Sequence, residues 1–232
     1  MSELLFADPP YLVARRVSRV VGIGGRQMVV LQPTSLSVKR GEFVAVTGPS
    51  GSGKSTLLNL LSGLDRPTSG RVLVNGMDLW AANDSSLAHI RNAEFGFMFQ
   101  IPHVLRSRSV RDNLSLPIRY ARLAAVDAAL KRVDELLDYV GLTSFADRFP
   151  ATLSGGELQR VAFARALVLD PAIIFADEPT AALDDVNSHL LLSLLVDQAS
   201  SGKVVLMATH DPFARAFAQR EVRMHKVTDA LA

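Results

Sequence analysis

The feature that constrains this chain most is a glycine-rich stretch between an apolar run and a helix-forming run. The run Glu42–Thr47 has strand character, Gly48–Thr56 fits G-x-x-x-x-G-K-[ST], and Leu57–Leu61 has the composition of a helix. Glycines let backbone N–H groups turn toward an anion, and the N-terminus of the following helix presents further free N–H groups. The stretch therefore predicts a phosphate-binding loop for a nucleoside triphosphate. Its predicted binding residues are Gly48, Pro49, Ser50, Gly51, Ser52, Gly53, Lys54, Ser55 and Thr56.

The chemistry of this loop depends on two of its residues and on a second motif. Lys54 is expected to reach the β- and γ-phosphates, and the Ser55 hydroxyl is expected to hold Mg²⁺. The apolar run Ile173–Ala176 leads into two consecutive acids, Asp177 and Glu178. We expect Asp177 to help hold Mg²⁺ beside Ser55, and Glu178 to accept a proton from the water that attacks the γ-phosphate.

Composition limits the classes of protein to consider. The chain has 232 residues, 48% of them hydrophobic, which suits one large α/β domain with a proper core. The formal net charge is only +2 and the basic residues are scattered, so nothing predicts a nucleic-acid partner. With no cysteine, neither a disulfide framework nor a thiolate metal site is possible.

The sequence predicts no membrane span of its own. A helix that crosses a bilayer needs about 18 consecutive apolar residues. The longest apolar run here, Leu190–Val196, is better interpreted as part of a buried helix, and Met1–Pro10 lacks the pattern of a signal peptide. We therefore expect the chain to reach a membrane only through a partner.

The alternation of apolar strands and helices predicts a mainly parallel sheet covered on both faces. Two β segments near the N-terminus read as an antiparallel hairpin, and a helical insertion of about 50–60 residues begins near Ile101. The predicted division is one domain, 1–232, with a nucleotide-binding core at 11–100 and 166–232 and a helical subdomain at about 101–165. The predicted strands are Leu12–Val21, Met28–Val38, Glu42–Thr47, Arg71–Val74, Phe95–Phe99, Ala172–Ala176, Val204–Ala208 and Glu221–Val227. After the loop, one predicted helix begins near Asp84 or Ser85. The other predicted helices span Val126–Val140, Gly156–Leu169, Asp185–Ser200 and Pro212–Gln219.

A second phosphate-type element lies about 100 residues after the loop. Leu153–Arg160 contains a serine, two glycines and the start of a predicted helix. Two such half-sites in one chain are reasonable if each completes the nucleotide site of the other copy across a dimer.

The order of these motifs resembles that of ATP-binding cassette (ABC) ATPases over roughly residues 12–227. The resemblance implies the ABC ATPase fold: a P-loop NTPase with a mainly parallel central sheet, an N-terminal antiparallel β subdomain and an inserted α-helical subdomain. It implies ATP and Mg²⁺ as cofactors and ATP hydrolysis as the activity. The matching segments are the loop Gly48–Ser55, the lid residue Gln100, the signature Ser154–Glu157, the acids Asp177–Glu178, the D-loop Ala182–Asp184 and the switch segment Thr209–Asp211.

The resemblance also implies a role for each matched residue. Gln100 would contact Mg²⁺ and the attacking water, and His210 would contact the γ-phosphate and hold Glu178. Asp184 would lie at the interface of a homodimer that ATP closes. The signature residues that would cover the γ-phosphate held by the opposite subunit are Ser154, Gly155, Gly156 and Glu157.

Two positions depart from the family pattern. Glu157 stands where the family most often has glutamine. The aromatic residue on which the family stacks adenine would fall near Val20 or Val21, and Tyr11 lies too early in the chain. The residue that stacks on the base is therefore left open.

The segments Gly48–Asn59 and Phe95–Gln100 resemble one branch, which comprises macrolide exporters, lipoprotein-release systems, haem exporters and a related cell-division ATPase. In that branch a separate integral-membrane permease selects the substrate. The resemblance thus implies a subunit at the cytoplasmic face of the cell membrane, where Ile101–Ser109 would contact the permease. The alternative for this segment is an ordinary exposed loop.

Other functions share parts of this pattern. A cell-division-type complex would use the same ATPase. A soluble cassette that acts on ribosomes or DNA usually has two cassettes or a long coiled coil, and this chain has no sustained heptads. A small-molecule kinase conflicts with Ser154–Glu157, and a binding module without turnover conflicts with the full set of catalytic residues.

Overall fold

The computed structural model describes residues 9–121 and 126–226, which form two sheets and seven α-helices. A four-stranded antiparallel sheet has the order β2-β1-β4-β5, and a five-stranded parallel sheet has the order β6-β7-β8-β3-β9. The strands are β1 (Leu12–Ile23), β2 (Arg26–Val38), β3 (Phe43–Thr47), β4 (Ser69–Val74), β5 (Met77–Asp78), β6 (Phe95–Met98), β7 (Ile173–Asp177), β8 (Val204–Ala208) and β9 (Arg220–Arg223). The helices are α1 (Lys54–Leu61), α2 (Asp84–Glu94), α3 (Val110–Tyr120), α4 (Val126–Tyr139), α5 (Gly155–Leu167), α6 (Asp185–Ser200) and α7 (Pro212–Arg215).

The parallel sheet brings the predicted site segments to one edge. Its central strands β3, β7 and β8 are almost completely buried, as expected for a parallel sheet covered on both faces. The Thr209 N–H donates to Val46 O at 3.0 Å, and the Glu178 N–H donates to Ala208 O at 2.9 Å. The loop after β3 and the residues after β7 and β8 therefore meet at the carboxyl edge of the sheet.

The predicted hairpin is present, and its strands extend to a two-residue turn. Ile23 pairs with Arg26, and Gly24 and Gly25 have φ angles of 56° and 81°. Both residues thus have the positive φ that a tight hairpin turn requires, which glycine adopts at little cost.

The insertion between β6 and β7 contains helices and loops but no strand in its described part. α4 matches the predicted Val126–Val140 to within one residue, whereas the spacing alone did not place α3. α3 contains Pro117 and is capped by Ser109, whose hydroxyl accepts the Asp112 N–H. Helices α3, α4 and α5 share one apolar core, which includes Val110, Leu114, Ile118, Val133, Leu137 and Val161.

The C-terminal prediction differs from the structure in the length of one helix and one strand. α7 ends at Arg215 instead of Gln219, because the Gln219 N–H donates to Phe43 O at 2.9 Å and joins the sheet edge. β9 lies at the edge of the sheet as predicted, but it ends at Arg223, short of the predicted Val227, which falls outside the described residues. None of the helices in the described ranges is long and apolar enough to cross a bilayer.

Candidate functional site

The phosphate-binding loop uses its glycines for conformation and for space. Gly48, Gly51 and Gly53 have φ angles of 147°, 77° and 89°, which side chains rarely allow. A Cβ on Gly48 would lie 2.6 Å from Met224 O, and one on Gly53 would lie 2.8 Å from Val30 O. Larger residues at these positions would thus displace the backbone of β2 or of the segment after β9.

The loop leads directly into an uncapped helix. Gly53 is the N-cap of α1 and provides no side-chain hydrogen bond, and the first turn contains no acid. The free N–H groups of that turn are therefore available to an anion. Lys54 is 8% exposed, and its ammonium donates to Gly48 O at 3.0 Å and to Pro49 O at 3.4 Å.

Glu178 and His210 form a direct pair beside the loop. Their Oε1 and Nδ1 atoms are 2.8 Å apart, and the same Oε1 is 3.9 Å from Lys54 Nζ. The carboxylate accepts from Nδ1, and the His210 side chain is 68% exposed, so the imidazole remains accessible to a ligand. Glu178 has a φ of 46°, an unusual conformation for a non-glycine residue that is most often found at functional sites.

Asp177 and Ser55 provide the donor set for a divalent cation. Burial raises the pKa of Asp177, although a hydrogen bond with Ser55 opposes that shift. The Asp177 Oδ1 atom is buried and has no hydrogen-bond partner within the described residues. A carboxylate and a hydroxyl are the oxygen ligands that Mg²⁺ prefers, usually with waters and substrate phosphates completing the shell. These two residues fit Mg²⁺, which would neutralise phosphate charge when bound.

The signature element forms the capped N-terminus of α5. Ser154 caps α5 by accepting the Glu157 N–H, and Glu157 accepts the Ser154 N–H at 2.7 Å. That backbone N–H lowers the pKa of Glu157. Glu157 therefore completes a capping box with Ser154, as a glutamine at this position could also do.

The D-loop packs against the signature glycines. Asp184 caps α6 by accepting the Asn187 N–H at 2.8 Å, which is the main cause of its lowered pKa. Ala182 O lies 4.0 Å from where a Cβ on Gly155 would be. Within the described residues, no hydrogen bond or ion pair joins Ser154–Glu157 to Gly48–Thr56.

Gln100 lies two residues beyond the end of β6 with its side chain exposed. Its carbonyl faces the buried amide of Gln159 at 3.4 Å, and no hydrogen bond in the described part of the chain joins its side chain to Asp177 or Glu178. The contacts of Gln159 and Asn187 with site segments were not predicted. A polar amide next to the apolar run Val161–Ala164 was the available signal for Gln159.

The hairpin approaches the loop through aliphatic residues. Val20 and Val21 pair with Val29 and Met28, beside the Val30 carbonyl that contacts the loop glycine. Neither β1 nor β2 contains an aromatic residue. Tyr11 lies at the far end of the hairpin, where its N–H donates to Val38 O; its side chain is only 7% exposed. The structure thus places Tyr11 away from the nucleotide loop.

These features define the class of the protein. A glycine loop at the carboxyl edge of a parallel sheet, with a lysine, a buried carboxylate and a paired glutamate–histidine, is the arrangement of a P-loop nucleoside triphosphatase. The ABC transporter family profile matches residues 31–181. The chain belongs to the ABC transporter family.

Sequence relatives place the chain in one branch of that family. It is 43% identical over 93% of its length to the lipoprotein-releasing system ATP-binding protein LolD of Bordetella pertussis, and covers 93% of that protein. It is 42% identical over 91% of its length to the uncharacterized ABC transporter ATP-binding protein YvrO of Bacillus subtilis, covering 92% of it. It is also 43% identical over 94% of its length to the macrolide export ATP-binding/permease protein MacB of Hyphomonas neptunium. The chain spans about a third (34%) of that MacB relative.

Solved structures agree with this placement. The dimeric structure of MJ0796, a bacterial ABC transporter cassette, matches with a TM-score of 0.85 and 35% identity, covering 93% of this chain and 94% of that one. A post-hydrolysis dimer of the same cassette, bound to ADP and Pi, matches with a TM-score of 0.83 over 92% of this chain and 94% of that one. The chain is thus an ATP-hydrolysing, nucleotide-binding component of a membrane transporter, in the macrolide-export and lipoprotein-release branch.

Proposed function

We propose that two copies of this chain close around ATP and Mg²⁺, and that hydrolysis reopens them to drive a separate permease. In each site, one copy supplies Gly48–Thr56, Asp177, Glu178 and His210, and the other supplies Ser154–Glu157. Binding that favours the closed pair turns ATP affinity into a conformational change, because a ligand shifts an equilibrium by its differential affinity for the two states. The dimers described for MJ0796 support this arrangement.

The observation that carries the proposal is the contact between Glu178 and His210. Glu178 is placed to accept a proton from water, and His210 holds its carboxylate in one orientation at 2.8 Å. Lys54 Nζ is 3.9 Å from Glu178 Oε1, which is too far for a short ion pair. Lys54 can therefore bind a phosphate without neutralising the base. Gln100 would complete the site by contacting Mg²⁺ and the attacking water.

The test is the Glu178→Gln variant. It keeps the shape and the binding groups but removes the base, so steady phosphate release should fall by about 10²- to 10⁴-fold. ATP should then trap a dimer that size-exclusion chromatography detects, whereas the unchanged chain should dimerise only transiently. Undiminished turnover in Glu178→Gln would show that this carboxylate is not the base.

A groove beside Gln100 supports the proposed permease contact. It has a volume of about 910 Å³ and lies between α2, β6 and the ends of α3 and α5. Phe95, Phe97, Phe99 and Tyr120 give it an apolar lining. Its basic lining residues are His89, Arg91 and Arg165, and none of the described residues that line it is acidic. The groove therefore suits a helix that has an apolar face and an acidic residue.

The segment Ile101–Ser109 adjoins this groove. Ile101 and Leu105 are 69% and 46% exposed, and the Arg165 guanidinium donates to His103 O, which ties the segment to α5. A partner that contacts the segment would thus be coupled to the signature helix and to Gln100. We place the chain at the cytoplasmic face of the membrane through this contact, and the permease selects the exported or extracted hydrophobic substrate.

The partner can be tested by purification with ATP from the membranes of the source cell. Tagged Glu178→Gln protein should retain an integral-membrane permease with few spans and a large extracytoplasmic domain. Adding Ile101→Asp should release the permease. The control Met77→Asp changes a similarly exposed apolar residue of β5, and the permease should then be retained. Recovery of ribosomes, or loss of the permease in both variants, would contradict the proposed surface.

A further inference from the structure

The buried amide of Gln159 contacts carbonyls from two segments that carry site residues. Gln159 is 3% exposed and lies in α5, five residues after Ser154. Its Nε2 atom donates to Pro179 O at 2.8 Å, with Phe99 O at 3.2 Å and Gln100 O at 3.4 Å. One side chain of the signature helix therefore joins the lid segment and the segment after β7.

The orientation of this amide follows from its partners. Carbonyl oxygens only accept hydrogen bonds, so the NH₂ group must face them and Oε1 must face away. Oε1 is buried and has no hydrogen-bond partner among the described residues. A glutamine buried with one half unsatisfied costs stability, so the three carbonyl contacts are the reason to have an amide here.

Each of the joined segments leads to a residue of the proposed site. The carbonyls of Phe99 and Gln100 belong to the lid, and Pro179 directly follows Glu178. Glu178 is itself held at a φ of 46° by its N–H bond to Ala208. A small displacement of Pro179 or Gln100 would thus move the base or the lid relative to the phosphate loop.

We propose that Gln159 is a positioning residue, which keeps the segments of Gln100 and Glu178 in register with the signature element at the start of α5. This rests on the proposed dimeric ATPase, in which Ser154–Glu157 contacts the nucleotide of the partner copy. When α5 is held by that nucleotide, the Gln159 amide aligns the lid and the base of its own chain. A nucleotide bound in one site of the dimer therefore affects the geometry of the lid and the base in the other site.

Directional hydrogen bonds suit this role better than apolar packing. The amide reaches backbone atoms, which cannot change rotamer, so a rotation of α5 is transmitted to the two loops directly. Methionine has nearly the same volume and flexibility but no donor, so it keeps the packing and removes the link. Gln159→Met and the apolar, donor-free Gln159→Leu therefore separate the link from the space that it fills.

The experiment measures kcat and KM for Mg²⁺-dependent ATP hydrolysis, together with thermal unfolding. Gln159→Met should lower kcat about tenfold, with KM for ATP within about twofold, because the phosphate loop is untouched. Gln159→Leu should lower kcat to a similar extent, and it is the second test if the methionine variant does not fold. The matched control is Val133→Ala, which truncates a buried residue of α4 and should lower the unfolding temperature without changing kcat or KM.

The outcomes separate this inference from the proposed function. If the unchanged chain hydrolyses ATP and both Gln159 variants keep a kcat within twofold of the Val133→Ala control, Gln159 has no positioning role. A proportional loss of kcat and folded fraction would also contradict it. If the Glu178→Gln variant shows no ATP-driven dimer, the proposed function fails first.

Discussion

The Asn187 side chain donates to both carboxylate oxygens of Asp184, at 3.0 Å to Oδ1 and 2.9 Å to Oδ2. Because the Asn187 side-chain nitrogen faces Asp184, the side-chain oxygen of Asn187 lies against Gly156. A Cβ on Gly156 would be 2.3 Å from Asn187 Oδ1. One amide thus joins the turn before α6 to the start of α5. It also explains why position 156 needs a glycine, since the backbone there has no unusual φ.

Exchanging the two side chains tests this contact. Asn187→Asp places two carboxylates face to face, and we expect ATP hydrolysis to fall about tenfold as Asp184 turns away. The double variant Asp184→Asn with Asn187→Asp restores an amide–carboxylate pair and an effective N-cap, so activity should return to within about threefold. The double variant has the same net charge as the unchanged chain, so it also controls for the charge that Asn187→Asp adds. Failure of the double variant to recover in phosphate-release assays would show that the pair does not act as a unit.

Removing the cap of α5 should impair hydrolysis far more than nucleotide binding to the monomer. Ser154→Ala costs about 1 kcal/mol of stability as a lost N-cap, and it also removes the hydroxyl proposed to contact the partner's γ-phosphate. Asn83→Ala removes the comparable cap of α2, where Asn83 accepts the Ser86 N–H at 2.9 Å. Only Ser154→Ala should lower kcat by tenfold or more, while a fluorescent ATP analogue binds both variants equally. Equal losses of binding and turnover would argue against a site shared between copies.

Alkaline unfolding should depend on Tyr11. Burial and the hydrogen bond to Glu94 raise the pKa of Tyr11 from its ordinary 10.0 to about 12. Between those values the folded chain keeps a proton that the unfolded chain loses, so stability falls as the pH rises through this window. Tyr11→Phe should be about 1 kcal/mol less stable near pH 8, because it lacks the hydrogen bond, and the gap should shrink above pH 10.

Urea unfolding of both chains at several pH values from 8 to 12 measures that gap. Tyr120→Phe is the control, because the Tyr120 side chain is 80% exposed. A gap that stays constant above pH 10 would contradict the raised pKa of Tyr11.

The aliphatic hairpin predicts weak selection of the nucleobase. Stacking on an aromatic side chain is worth about 1–3 kcal/mol per base, and Val20 and Val21 offer none. We therefore expect kcat/KM for ATP and UTP to agree within about threefold. Tyrosine at the one of these two positions that faces the loop should tighten ATP binding about tenfold, and tyrosine at the other serves as the control, since neighbouring strand residues face opposite sides. A tenfold preference of the unchanged chain for ATP would overturn this expectation.

Much of the architecture follows from local sequence. The phosphate loop, the apolar strands β3, β7 and β8, and helices α4 and α6 were predicted closely because each has a spacing or a glycine pattern of its own. α3 was not placed, since Pro117 interrupts a helix signal that burial of Leu114 and Ile118 nevertheless stabilises. α7 was predicted too long, because its last residues form a backbone hydrogen bond with β3 instead.

Short-range spacing was enough to predict roles for Lys54, Ser55, Asp177 and Glu178, because strand, turn and helix N-terminus place those residue types within a few positions of one another. Only the tertiary structure placed Asn187 against Gly156 and joined Gln159 to the lid, whereas the contact between His210 and Glu178 was already implied by the family resemblance. These contacts join segments that lie far apart in the sequence, because parallel strand order and the packing of α5 bring them to one edge of the sheet. Local pattern thus determined which groups are present, and packing decided which of them act together.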